Sequence, residues 1–197
     1  MLKAAGEFKG AAVRRHERQV NAHFHPVLKQ VRPGQYIADL PQYGTTNFKL
    51  SEDTMDAGIF VAGLDFVIDR LAVNITTAAE EGMQARLGIY ESEALYPGRL
   101  IADGGVLQAD GAGTRYVELT KTLKKGYYFL VVLAQAEVTC RYLRVSQSPL
   151  GLYPTFTSAF TGYAAGFPWG ELPENYPENA TATNVARLVC ARLSQVL

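Results

Sequence analysis

The side chains with most chemistry to offer are three histidines, two cysteines and a scatter of carboxylates, and their placement limits the reactions open to the chain. His16, His23 and His25 all fall in the opening stretch. The His23-x-His25 pair has the residue type for metal binding or titration near neutral pH, but no cysteine or carboxylate cluster nearby completes a ligand set. Solvated or interface histidines are expected, and no metal is assigned. Downstream of His25 there is no histidine, so a serine or cysteine nucleophile there would lack its usual base. Glu80 with Glu81, or Glu91 with Glu93, offers paired carboxyls, yet sequence neighbours seldom meet the fixed separation that glycoside cleavage needs. Asp103 and Asp110 stand beside glycines, where turn chemistry is the simpler reading than calcium ligation. Cys140 and Cys190 are too few for a disulfide framework or a four-thiolate site and read as buried thiols. No catalytic residue, metal or cofactor is assigned, and a non-enzymatic protein is expected.

The elements that position these residues follow from composition and pattern. With 197 residues, 48% hydrophobic and 19% charged, the chain can bury one ordinary core. Eighteen Gly, eleven Tyr and nine Phe among short apolar runs suit strands joined by tight turns. No run approaches the roughly 18 apolar residues of a spanning helix. The opening residues lack the apolar block of a secretory signal, so a soluble, unexported protein without membrane insertion is expected.

The net charge of zero conceals an asymmetry. Seven cations between Met1 and Gly34 (Lys3, Lys9, Arg14, Arg15, Arg18, Lys29 and Arg32) face only Glu7 and Glu17, a net +5 that leaves −5 for the rest. Leu2 to about Lys29 is the one stretch suited to a helix, but Gly6 and Gly10 weaken it, so a helical or extended arm that orders on a partner is expected. Lys9, Arg14, Arg15, Arg18, Phe24 and Arg32 are the candidate docking residues, for an acidic protein surface. Nucleic acid is not expected, because no interleaved aromatics or phosphate-binding signature accompanies the arginines. Residues 1–44 are read as this basic attachment segment and 45–197 as the folded domain.

From Ile59 the pattern has a period of two. Leu71, Val73 and Ile75 alternate with Arg70, Ala72 and Asn74, and Ala85, Leu87 and Ile89 alternate with Gln84, Arg86 and Gly88. With Glu80, Glu81 and Gly82 between them, these two segments are predicted to be neighbouring antiparallel strands. Further turns are predicted at Asp103–Gly105, Asp110–Gly113 and Lys124–Gly126. The run from Tyr127 to Leu133 does not alternate, so its strand must be covered on both faces. The aromatic loop 149–178 is the candidate cover. Within it Tyr153, Tyr163, Phe167 and Trp169 are the candidate glycan or interface contacts. A closing strand is predicted over 185–193, which would bring Cys190 near Cys140. The fold class is therefore all-β: an antiparallel, jelly-roll-like β-sandwich with an N-terminal helical or extended arm.

Three strings carry a family resemblance: Arg86-Leu87-Gly88-Ile89-Tyr90, then Pro97-Gly98-Arg99-Leu100-Ile101-Ala102 with Gly105, and Leu123-Lys124-Lys125-Gly126-Tyr127-Tyr128-Phe129-Leu130. In order and spacing they resemble a module of bacteriophage tail fibres and related virion appendages. There, a strand ending in Gly-Ile-Tyr precedes a Pro-Gly loop, a Gly turn and a strand opening on Leu, Gly and Tyr. Gly170-Glu171-Leu172-Pro173 before a closing strand extends the likeness, which leaves out Met1 to about Gln42. The resemblance implies a virion structural protein of the tail, baseplate or fibre, assembled in the host cytoplasm. It would pack with other virion proteins as a homo-oligomer, with a trimer expected. Two alternatives stay open: a receptor- or glycan-binding module of a phage adhesin touching a host surface glycan, and a head decoration or head-fibre protein.

Overall fold

The computed structural model describes residues 32–37, 45–144, 161–183, 185–187 and 189–197. The chain divides into two compact units, residues 1–32 and 33–197. Of the first, Arg32 alone is described; Lys9, Arg14, Arg15, Arg18 and Phe24, the three histidines and the arm lie outside the described residues, as does Tyr153.

The second unit is an antiparallel β-sandwich, and no helix occurs among the described residues. Sheet A holds β1 (Tyr36–Ile37), β2 (Thr45–Leu50), β4 (Phe66–Thr77), β7 (Gly113–Leu123), β9 (Val138–Arg144), β12 (Val185–Arg187) and β13 (Val189–Val196). Sheet B runs in the order β11 (Thr181–Thr183), β10 (Gly162–Gly166), β3 (Thr54–Ala62), β8 (Gly126–Ala134), β5 (Gln84–Glu93), β6 (Tyr96–Gln108). The chain passes repeatedly from one sheet to the other, the jelly-roll-like feature, and the predicted closing strand appears as β12 and β13. Cys140, buried, pairs in register with Ile75 of β4, and Cys190, half-buried, with Ala72 of the same strand.

Alternation of side chains divides the apolar residues between two layers. Ile68, Leu71, Val73 and Ile75 of β4 are buried, as are Leu87 and Ile89 of β5 and Leu130 and Val132 of β8. They form the layer between the sheets, where Phe60 and Phe66 meet edge to face with ring centroids 6.1 Å apart. The alternate residues of sheet B, Met55, Ala57, Ile59, Tyr90, Phe129, Val131 and Leu133, form a second buried cluster on its outer side.

Three sequence expectations are corrected. β4 and β5 are not neighbours. β4 pairs with β7, β13 and the start of β9, whereas β5 lies between β6 and β8 in the other sheet. A period of two fixes which face is buried but not which strand lies alongside, and the Glu80–Gly82 turn carries the chain between sheets. It is tied to the Asp110 turn, whose Oδ2 accepts from the Gly82 N–H at 3.1 Å. The second correction concerns Asp103–Gly105, which is a bulge inside β6 rather than a turn. Gly105 has φ +84°, its N–H donates to Asp103 Oδ1 at 2.8 Å, and the register with β5 shifts there. Third, the Pro97-Gly98 loop is already strand. The hairpin turns at Ala94 and Leu95, both at positive φ, with Glu93 opposite Tyr96.

Two carboxylates stitch the frame at its polar rim. Asp69 accepts a bidentate pair from Arg192 at 2.7 Å each, and Asp65 accepts from the Lys125 N–H at 2.7 Å and from Lys124 Nζ at 3.0 Å. The Arg192 bond holds the Asp69 carboxyl below its ordinary value, and the Lys125 and Lys124 bonds do the same for Asp65. Their folded-state values being depressed, both add stability that is complete above the unfolded carboxylate range and lost as pH falls through the folded one. Unfolding midpoints in urea should therefore be level above about pH 5 and fall below about pH 4. Asp69→Asn should make that acid limb shallower than in the wild type.

Candidate functional site: the strapped face of sheet B

β8 shows why the outer side of sheet B needs a cover: Phe129 to Ala134 are all buried, so the strand has an apolar side chain on each face in succession. Tyr127 departs from the expectation of full cover and stays exposed, because it lies at the end of the strand beside the Lys124–Gly126 connection. The cover is the segment that follows β10, residues 167–180, which crosses the face as a strap. Leu172 and Tyr176 are buried in the cluster, and Tyr163, Phe167 and Trp169 are half-buried against it. The aromatic cover is thus seen over residues 167–178, whereas Gly162–Gly166 of the expected loop is strand β10 of sheet B, and residues 149–160 lie outside the described residues.

The outer side of β5 is cut to receive this strap at every second residue. Arg86 Nη1 donates to the Gly170 carbonyl at 2.8 Å while its Nε reaches Asp103 at 3.1 Å. Gly88 leaves room for Leu172; a Cβ there would stand 2.3 Å from Leu172 Cδ1. The Tyr90 hydroxyl donates to the Pro173 carbonyl at 2.7 Å. Further along, the Leu100 N–H donates to the Glu174 carbonyl at 2.7 Å and the Tyr176 N–H to the Gly98 carbonyl at 2.9 Å, with Arg99 bridging to Asn175, so the strap also pairs with the free edge of β6. The Tyr96 hydroxyl donates to the Pro177 carbonyl, and the Tyr176 hydroxyl to the Met55 carbonyl at 2.9 Å. At the strap's start Asp53 accepts from the Phe167 N–H with its carbonyl and from the Trp169 N–H with its carboxylate.

Burial raises the Tyr90 and Tyr176 hydroxyls well above the ordinary tyrosine range, and it raises Tyr96 and Tyr163 as well. These phenols therefore remain protonated donors throughout the working pH range. Their rings pack edge to face: Tyr90 on Tyr176 at 5.4 Å and Tyr96 on Tyr176 at 6.3 Å, with Tyr163 tilted on Tyr96 at 4.6 Å.

The structure packs Tyr163 of β10 and Phe167 and Trp169 of the strap, all half-buried, against the one outer cluster of sheet B. Arg32 is exposed just ahead of the body. Glu91 accepts from Arg99 at 3.1 Å, Asp103 pairs with Arg86, and Asp110 serves the Gly82 turn. Among the described residues no group of three or more His, Cys, Asp or Glu side chains could hold a metal ion. Sequence reasoning missed Arg86, Tyr90, Tyr96 and Tyr176 as the anchors. Their partners, the carbonyls of Gly170, Pro173, Pro177 and Met55, lie more than 80 residues away and leave no local pattern.

The molecule so defined is a two-layer sandwich with a sequence-specific strap over one outer face. No protein-family model and no curated protein matches the chain.

The fit of Gly88 to Leu172 gives a double-mutant cycle. Gly88→Ala should cost about 1–3 kcal/mol in urea unfolding, and most of that added cost should vanish in the Leu172→Ala background because the obstructing methyl is gone. Additive losses would mean that the strap does not rest on Gly88.

Proposed function

We propose that this chain is a non-enzymatic structural subunit of a bacteriophage virion, in the tail, baseplate or fibre assembly, that docks through its basic N-terminal segment. The observation that carries the reading is the meeting of the residue strings that resemble virion appendage modules. Arg86, Gly88 and Tyr90 of the first string contact Gly170, Leu172 and Pro173 of the string that extends the likeness. The strings that carry the resemblance lie side by side in the fold.

The place where the body begins supports the same reading. The Gly34 N–H donates to the Leu193 carbonyl at 2.7 Å, the Leu193 N–H donates to the Gln35 carbonyl at 2.9 Å, and β1 pairs with β13. The body's own hydrogen bonds thus begin at Gly34, on sheet A, while in the sequence Met1 to Gly34 carries a net +5 and the remainder the opposite charge. A sandwich held on both faces is a rigid piece suited to being positioned by such a segment. Glycan contact through Tyr163, Phe167 and Trp169 would have to use what their packing leaves exposed, so attachment is the better-supported role.

Removing residues 1–32, up to the point where the body's own hydrogen bonds start, tests this. The truncated chain should unfold at the wild-type urea midpoint and fail to enter particles in a complementation assay scored by immunoblot of purified virions. Incorporation at the wild-type level would refute docking by that segment.

A further inference from the structure

Sheet A ends on β7, eleven residues long, which among the described residues pairs with β4 alone. Its other side presents a line of backbone N–H and C=O groups, a template onto which a strand from another chain can add. Two cations lie along it. Arg115 and Lys121 fall on the same side of the strand as buried Val117 and Leu123, so both are directed toward the interior, and both are half-buried. Lys121 Nζ donates to the Ile101 carbonyl of β6, the edge strand of sheet B, at 2.7 Å. Arg115 Nε donates to the Gly111 carbonyl at 3.1 Å, and its guanidinium covers that glycine so closely that a Cβ there would stand 1.8 Å from a terminal nitrogen. Between them the bulge in β6 brings Gly104 against Val117, where a Cβ would stand 2.8 Å from Cγ2. The side of the sandwich between the edge strands β6 and β7 is thus closed by two charged side chains with a glycine contact between them.

We infer that Arg115 and Lys121 guard the β7 edge against strand addition. A strand laid on β7 would cover this side of the sandwich and strip water from an ammonium and a guanidinium that, among the described residues, have backbone carbonyls and no carboxylate as partners. The cost falls on any partner strand that brings no carboxylate of its own to the two cations. The backbone line stays hydrated, and self-association is directed away from sheet-to-sheet extension. The inference stands apart from the virion reading, since it concerns which surface is closed to assembly.

The test is sedimentation velocity over a concentration series, combined with hydrogen exchange, on the full chain carrying Arg115→Leu and Lys121→Met. Compared with wild type, the neutralised protein should form larger species with association strengthened tenfold or more, and exchange should slow at β7 amides. Lys121→Arg, which keeps the charge, should sediment as wild type. Should the double variant fail to fold by circular dichroism, Lys121→Met alone gives the same readout, with Arg115 left on Gly111. A folded, neutralised variant that sediments as wild type overturns the inference, and so does association that leaves β7 exchange unchanged.

Discussion

Sheet B has two apolar faces, and most of the structure answers that constraint. Phe129, Val131 and Leu133 point one way from β8 while Leu130 and Val132 point the other, and both sets are buried. One face is satisfied by sheet A. The other needs an additional layer, since an apolar face of that size left in water would forfeit on the order of 1.5–3 kcal/mol for each large side chain. The chain supplies it with an irregular segment. Such a segment carries backbone groups that must find partners, and here the tyrosine hydroxyls, Arg86, Asp53 and the edge of β6 provide them.

The outer side of sheet A solves the opposite problem. Tyr36, Arg192, Arg70 and Glu118 stand in one cross-strand row on β1, β13, β4 and β7. Arg70 reaches Glu118 at 3.2 Å with its guanidinium 4.0 Å from the Tyr116 ring centroid, and Asp69 takes Arg192. A face made of paired charges and tyrosine needs no cover. The sandwich is accordingly one-sided, strapped on sheet B and lined on the outer side of sheet A by this row of paired charges and tyrosine.

How much of this was legible in the sequence follows from the range of the interactions involved. The alternation in Leu71, Val73 and Ile75, and its absence from Phe129 to Leu133, report burial face by face, which is a local property, and both were readable. The glycine turn at Gly82 was readable for the same reason, since a φ of +80° suits that residue type. Strand neighbours were not, because β4 finds β7 and β13 through contacts between residues 38 to 130 positions apart. The Asp103–Gly105 bulge looked like a turn because the two devices use the same residues; only the presence of β5 alongside separates them. The strap's anchors were hidden because a tyrosine donating to a proline carbonyl some 80 residues away leaves no periodic trace. Of the candidate site, the need for a cover was legible in the doubly apolar run of β8 and its source in the aromatic composition after Pro149, whereas the residues that anchor it were not.

The central claim is that the strap is an integral layer of the sandwich and not a loop resting on it. Native-state hydrogen exchange at two amides measures this directly: Leu100, bonded to the Glu174 carbonyl, and Tyr176, bonded to the Gly98 carbonyl. If the account is right, both exchange only with global unfolding, at the same free energy as the Val131 amide in the middle of β8. Exchange at Leu100 and Tyr176 about 100-fold faster than at Val131, through a local opening that leaves β8 protected, would contradict it.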